Sequence, residues 1–489
     1  MGEVKDTRFR FEFNKSIRVE GRPERLSCDP GAVLMREVEE RVGIVPWLVE
    51  HLHDPRDQDK ITHPLSELLR TALFLPALAL FDEDDADVKR DDPAFRLAVS
   101  ERRGSSPLLP PQMCGGGCCG EEPQIPDGLA SQPTLSRLTA ALTGEKNQAV
   151  LQEGLRELAK RRIRSMRPGH HRPRYLTIDV DSLPIEVHGH QPGSAYNGYY
   201  HQTMYHPIVA SFAETGDLLD ARLREGNCHT ANGALSFVIN LLDWTEKNIC
   251  QVASIRFDAG FPEDILLSAL EDRRTDYVAR IKNNAVLDRM AEPFLVRPVG
   301  RPTNEPRMWF HELVYQAEEW IKPRRVVLVV QERPGELHLH YFWLLTSWSA
   351  ADMPGAALLE LYRVRGCAEG YMGELVNELL PNLSSSPRPK SHYRGDKPKR
   401  RSASVDSFAC NSVVLLLRCL SYNLSHCLRV VVEGATDEGW SLKRVRERIL
   451  KVAARFLLHG RRVIVVVREE AIALWNLLAA PLARLTWEH

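Results

Sequence analysis

The chain lacks any surplus of charge: Lys and Arg number 64 against 65 Asp and Glu, a formal net charge of -1 at pH 7. A globally basic surface for nucleic acid is therefore excluded, and any electrostatic attraction to phosphate has to be local. Met1 to Glu20 alternates charged and apolar residues without the apolar core of a signal peptide, and no run approaches the roughly 18 apolar residues that a membrane span needs. A soluble, cytosolic protein with no membrane partner is expected. The ten cysteines have no regular spacing, which fits reduced thiols better than the disulfide framework of a small secreted chain. No internal repeat is visible.

What is present is length and apolar content. The 489 residues, 43% of them hydrophobic, imply two to four domains, or one core with large insertions. Residues 1–165 read as a helical N-terminal DNA-binding region, with helical spacing through Val33 to His51 and Leu65 to Phe81 and an acidic stretch from Asp82 to Asp92. Residues 104–128 are rich in Gly, Pro and Cys and read as a flexible insert; Cys114, Cys118 and Cys119 lack the fourth ligand and the paired spacing of a zinc site. Ser131 can cap a helix with Pro133 in its first turn, where Gln132, Thr134, Ser136 and Arg137 either face DNA or are simply solvated. Lys160 to Arg174 carries Arg161, Arg162 and Arg164 among its bases and no acid, the pattern of a phosphate-contacting run or of a solvated linker.

From Arg174 the apolar period changes to two. Strands are expected at about 174–187, 199–213 and 217–225, then a helix from Ala231 to Trp244, a strand at 251–258, a helix at 262–271 and a strand at 275–281. Three strands as a meander followed by helix, strand, helix, strand is the layout of an RNase-H-like α/β core, whose first part spans 166–290. Residues 291–350 form a β-rich insertion. Residues 351–489 return to the core with one more helix and a helical C-terminal region, except for a Val-rich strand from Arg462 to Arg468.

Three acids stand out on this frame. Along Tyr175 to Asp181 side chains alternate, so Leu176, Ile178 and Val180 point one way while Thr177, Asp179 and Asp181 point the other. Asp258 ends the stretch Ile255-Arg-Phe-Asp258. Glu369 follows Tyr362 and Arg365 at i+7 and i+4, on one helical face. An aspartate at a strand end is by itself more often a turn former, but acids at two strand ends plus one on a later helix make a cradle for hard divalent cations. A pair of such ions clamps the attacking and leaving oxygens of a phosphodiester.

The pattern Tyr362-x2-Arg365-x3-Glu369, together with Asp179-Val-Asp181-Ser182, Tyr205-His-Pro-Ile, Ala213-Glu-Thr-Gly216, Arg224-Glu-Gly-Asn-Cys-His229, Phe257-Asp-Ala-Gly-Phe261, Ala130-Ser-Gln-Pro-Thr-Leu-Ser-Arg137 and Ala409-Cys-Asn-Ser to Tyr422-Asn-Leu, resembles the DDE-type bacterial insertion-sequence transposases, in particular the family numbered 1380. The resemblance covers nearly the whole chain. It implies cut-and-paste DNA transposition: binding of terminal inverted repeats, then cleavage and strand transfer in a two-metal Mg²⁺ site, Mn²⁺ being able to substitute. The expected partner is double-stranded DNA, both transposon ends and target, bound by a homodimer in the bacterial cytoplasm at the nucleoid. Asp181, Asp258 and Glu369 become the catalytic and metal-binding triad, with Asp179 the competitor for the first place, and Tyr362 and Arg365 orient the DNA end or the third carboxylate. Trp320 becomes a candidate for stacking on a flipped base, though a tryptophan in a β-rich segment is mostly core.

The chain departs from the pattern where the signature has lysine. Position 376 is Val376, and the same helix carries Gly366, Gly370 and Gly373, which either allow close approach to the sheet or mark a weakened copy. Lys397, Lys399, Arg400 and Arg401, in the basic stretch from Arg388, are either substitute phosphate contacts or part of a solvated loop. The rival readings are a catalytically inactive, transposase-derived DNA-binding protein and an RNase-H-fold nuclease without strand transfer.

Overall fold

A computed structural model describes residues 11–14, 16–17, 19, 23–109, 128–165, 174–188, 191–300, 304–379, 383–384, 407–460 and 462–485. Cys114, Cys118 and Cys119, and the basic residues Lys397, Lys399, Arg400 and Arg401, lie outside the described residues.

The N-terminal helices of eight or more residues are α1 (Ala32–Val42), α2 (Ile44–His51), α3 (Leu65–Ala77), α4 (Gln132–Ala141) and α5 (Glu145–Arg164), with the shorter Asp85–Lys89 and Pro93–Val99 between α3 and α4. The helix expected from Val33 to His51 is two helices, because Gly43 takes the left-handed conformation at φ 65° and ends α1.

The period-two segments become one eight-stranded mixed sheet. Its strands are β1 (Tyr175–Ser182), β2 (Ile208–Phe212), β3 (Leu218–Arg222), β4 (Gln251–Phe257), β5 (Asp276–Ile281), β6 (Arg307–Tyr315), β7 (Arg324–Glu332) and β8 (His340–Thr346), in the order β6-β7-β8-β5-β4-β1-β2-β3. The pairs β1–β4 and β4–β5 are parallel, and the other neighbours are antiparallel. The segment expected as a separate β-rich insertion extends this sheet, since β8 pairs with β5 and covers what would otherwise be an open edge.

One face of the sheet is apolar throughout. Leu176, Ile178 and Val180 of β1 pack there with Ile255 and Phe257 of β4 under α6 (Ala234–Asn248) and α7 (Asp264–Arg273). The other face carries two separate apolar clusters. Over β5, β7 and β8 lies α8 (Gly355–Arg363), which seats Leu358 and Leu359 on Val278, Val327, Val329 and Leu344. After α9 (Gly366–Leu379) comes α10 (Ser407–Thr436), which with α5 covers Val209, Leu218 and Ala221 of β2 and β3, in a cluster that continues into α1, α2 and α3. Between these clusters the inward side chains of β1 and β4 are polar: Thr177, Asp179, Ser254 and Arg256, all buried.

Helix α10 corrects the expectation that no segment is long and apolar enough to span a membrane, because by length and composition it is. Its window is 78% buried inside the protein, however, and its polar residues serve the fold. Asn423 bonds both the N–H (2.9 Å) and the carbonyl (2.8 Å) of Leu218, satisfying the edge of β3. Asn411 donates to the Tyr205 hydroxyl at 3.0 Å. His426 Nε2 meets the Thr215 carbonyl at 2.7 Å while its Nδ1 accepts from Arg429, so the network assigns the proton to Nε2. The tip of the β2–β3 turn is Gly216, at φ 73°, where an added Cβ would strike the ring of Tyr371 from α9. In a separate three-stranded sheet, the Val-rich strand Arg462–Val467 pairs with Ala454–His459, which in turn pairs with Arg25–Ser27. Neither of those two partners was expected.

Burial pushes the pKa of His426 down to about 3 against the pull of Asp217. The unfolded chain, with an ordinary histidine pKa of about 6.5, therefore takes up a proton that the folded chain refuses, and stability falls as pH drops below about 6.5. The neighbouring Asp217, whose pKa its partner Arg162 holds low despite burial, loses its contribution only below the ordinary carboxylate range. Glutamine in place of His426 can donate and accept without titrating. Urea unfolding between about pH 6.5 and 4.5 is expected to show wild type losing about 1.4 kcal/mol per pH unit more than His426→Gln. Parallel pH dependences would remove His426 as the source.

Candidate active site

The polar strip on β1 and β4 is where the candidate acids gather. Asp179 faces Arg256 across the parallel ladder, and the guanidinium forks onto both carboxylate oxygens at 2.6 Å. Both side chains are almost fully buried. The third arm of Arg256 reaches the Leu361 carbonyl at 2.8 Å, tying the end of α8 to the sheet. One pleat further on, Asp181 accepts from Arg365 at 2.6 Å, and the same guanidinium donates to Glu369 at 2.9 Å. Asp258 lies just past the end of β4, beside β1.

The Asp181 carboxyl is pushed up to about 6, chiefly by burial; Arg365 opposes this, and the like charges of Asp258 and Glu369 add to it. Burial would lower Arg365, but Asp181, Tyr362, Asp258 and Glu369 outweigh it and hold the guanidinium charged. Tyr362 is raised by burial first and belongs to the same electrostatic group. Three carboxylates and one guanidinium thus share one neighbourhood, with Glu369 exposed to solvent.

The helix expected to run through Tyr362, Arg365 and Glu369 is interrupted at residues 364–365. Bonds of the tighter i to i-3 kind, Arg365 N–H to Tyr362 O at 3.0 Å and Ala368 N–H to Arg365 O at 2.9 Å, turn the chain there. The turn drops Arg365 onto Asp181, and α9 restarts with Glu369 in its first turn, where a carboxylate suits the helix dipole. Two ion pairs fix α9 further along: Glu374 with Arg429 of α10, and Glu378 with Arg446.

The glycines of α9 do not serve close packing. A Cβ at Gly366 or Gly370 would meet open space, so each sacrifices about 1 kcal/mol of helix stability and leaves the ground beside Glu369 clear. Val376, two turns beyond Glu369, packs against the larger apolar cluster, so an apolar residue suits the position where lysine was expected.

Several residues expected at DNA are committed elsewhere. Arg162 is buried against Asp217, because a charge under α10 needs a partner. Arg161 caps the Val42 and Gly43 carbonyls at 2.9 and 2.6 Å, and Arg164, still exposed, donates to the Asn248 carbonyl at 2.9 Å. Trp320 is 7% exposed, edge-on to Tyr315 and under the guanidinium of Arg324, a core residue with no open face for a base. At the start of α4 the Gln132 N–H bonds Asp87 at 3.1 Å and Ser136 bonds Glu83, so acids already occupy this helix end. Thr134 accepts from the exposed Arg137 at 3.2 Å. The sequence reading missed the role of Arg256. Its signal was an arginine inside an apolar strand, two residues before Asp258 and so on the same face.

The family model of the transposase DDE domain, group 1, matches residues 9–388. The chain belongs to that family, DDE-type transposases, which act on DNA with divalent metal ions. Among solved structures it matches the piggyBac transposase in a synaptic complex with hairpin DNA, at 12% identity and a TM-score of 0.39, over 95% of this chain and 86% of that one. No curated protein matches.

Removing one partner of the Asp179–Arg256 pair strands a buried charge, so Asp179→Ala and Arg256→Ala should each destabilise the protein by about 3–5 kcal/mol. The double replacement Asp179→Leu with Arg256→Met should cost less than either. Denaturant midpoints decide it: single variants as stable as wild type would mean that the pair does not hold the strip together.

Proposed function

We propose that this protein is a DNA transposase of the cut-and-paste kind, with Asp181, Asp258 and Glu369 as its catalytic carboxylates, a soluble cytoplasmic protein working as a dimer on its own transposon ends. The observation that carries this reading is Arg365 bridging Asp181 and Glu369 on the polar strip of the sheet, with Asp258 at the adjoining strand end. The strand order β3-β2-β1-β4-β5, with β1 and β4 parallel at the centre, supports an RNase-H-like core. The motifs running from Asp179 to Leu424 support the narrower insertion-sequence family numbered 1380.

The donor set fits the family's metal. Hard oxygen ligands predominate, and three carboxylates against one guanidinium leave net negative charge for a divalent ion. Among the described residues no three acidic, imidazole or thiol side chains already close on one point. Arg365 stands between Asp181 and Glu369 and occupies both of them. Asp181, Asp258 and Glu369 would hold Mg²⁺, or Mn²⁺ in its place, which when bound supplies an activated water and charge neutralisation at the phosphodiester. The chain's own part is positional. Arg256 and Arg365 keep the two β1 carboxylates apart in role, one structural and one reactive, while the Glu374 and Glu378 ion pairs hold the helix that presents Glu369.

Asp181→Asn, Asp258→Asn and Glu369→Gln should each reduce cleavage of a terminal-repeat duplex in Mg²⁺ to background while leaving duplex affinity within a few fold. Asp179→Asn should retain cleavage in proportion to the folded fraction. Wild-type cleavage by any of the first three removes that residue from the triad, and a wild-type chain that binds the duplex but does not cleave it in Mg²⁺ favours the reading of a catalytically inactive DNA-binding protein.

A further inference from the structure

Beside the acids stands an aromatic surface that no step above uses. The short strands Ala195–Asn197 and Gln202–Tyr205 pair as a hairpin whose tip is residues 198–201. Asn197 builds this tip: its side-chain oxygen accepts from the N–H groups of Tyr199 (3.0 Å) and Tyr200 (3.4 Å), its amide donates to the Gly226 carbonyl at 2.9 Å, and its own carbonyl accepts from His201, held at φ 56°. A preformed turn therefore projects tyrosines outward. Tyr199 is 74% exposed and Tyr196 is 61% exposed.

Tyr200 links the tip to the acids. Its ring stands edge-on to Tyr199 at 5.0 Å and edge-on to His206 at 5.6 Å. Burial raises the pKa of its hydroxyl, Ser182 at the end of β1 opposes the rise, and the charges of Asp181 and Asp258 add to it, so the ring stands in the field of both acids. From the other side Lys282, immediately after β5, places its ammonium 5.2 Å from the Tyr199 ring centre. The parallel strands β1, β4 and β5 end at this same edge, so the acids, the tyrosines and the lysine sit around one mouth.

We propose that Tyr196 and Tyr199, with Lys282, form a stacking platform for unpaired nucleotides of the DNA strand entering the acid site. The inference rests on the functional reading above and names how that site takes hold of its substrate. A strand approaching three carboxylates meets repulsion from its own phosphates. Stacking on an aromatic face is indifferent to that charge and to base identity, and one cation suffices to seat a single phosphate. A paired duplex hides its base faces, so the platform favours frayed or single-stranded ends.

The test is equilibrium binding by the full chain, in EDTA so that no chemistry intervenes, of two probes: a blunt duplex and the same duplex with a short single-stranded 3′ overhang. Wild type is expected to prefer the overhang. Tyr196→Ala with Tyr199→Ala should lose about 5- to 100-fold on the overhang probe and little on the blunt one. Tyr199→Phe, which keeps the aromatic face, should retain the preference, and 2-aminopurine in the overhang should be quenched by wild type but not by the double alanine variant. Both tyrosines are exposed, so the alanines leave the fold intact. Equal affinity of wild type for the two probes, or a preference that survives the double variant, overturns the platform while leaving the acids to be judged by cleavage. A wild-type chain that binds neither probe overturns both readings.

Discussion

Two aspartates on one face of a buried strand set the constraint from which the site follows. Asp179 and Asp181 are roughly 7 Å apart by strand geometry, and neither can be left charged in the interior without a cation. The protein gives each its own arginine, from a different element. Arg256 comes from the adjacent strand and saturates Asp179 with a two-pronged fork. Arg365 comes from the break between two helices and gives Asp181 one arm while spending another on Glu369. The first pair is closed to further ligands. The second is open on one side, with an exposed carboxylate and an arginine Nε that has no hydrogen-bond partner among the described residues. Incomplete compensation is what favours Asp181 over Asp179 as the proposed reactive carboxylate.

The same constraint places the helices. Arg256 spends its remaining arm on the Leu361 carbonyl, so the structural ion pair also fixes where α8 ends and hence where Arg365 begins its turn. On the far side α9 is held by Glu374 to Arg429, which donates to His426, which donates to the hairpin before β3. Glu369 is therefore positioned from both sides of the sheet face, by buried polar groups whose disruption would be costly. Helix α10 carries an apolar composition that by itself would suit a bilayer, but it contributes Asn411, Asn423, His426 and Arg429 to this scaffold.

What the sequence made legible was whatever depends on period and order. The alternation in β1 located the face bearing Asp179 and Asp181, and the succession of strands and helices placed Asp258 on a neighbouring strand end. Asp181 was preferred to Asp179 only through the resemblance, and the fork that engages Asp179 was not legible, because Arg256 looks like any arginine until the ladder puts it opposite Asp179. A helical wheel put Tyr362, Arg365 and Glu369 on one face, yet the two-helix break that lets Arg365 reach Asp181 has no periodic signature. Basic runs misled for the same reason: Arg162 reads as a surface charge in sequence and is buried only because Asp217, 55 positions later, is buried beneath it. Trp320 was ambiguous by composition and is core because β6 to β8 extend the main sheet.

The open side of the site asks for an attractive surface that the acids cannot supply. With the net charge of the chain at -1, that surface has to be built from few groups. Gly366 and Gly370 leave the approach to Glu369 bare, and Val376 turns toward the core instead of offering a cation. At the mouth, Lys282 and the face of Tyr199 beside it are suited to a nucleic-acid strand, with the exposed Arg280 of β5 acting on Tyr362 alongside. A site arranged in this way gains most of its grip from bases that have left the duplex, because only those expose a face to stack. Its affinity should therefore depend on how readily the end frays and less on salt than binding through a basic patch would.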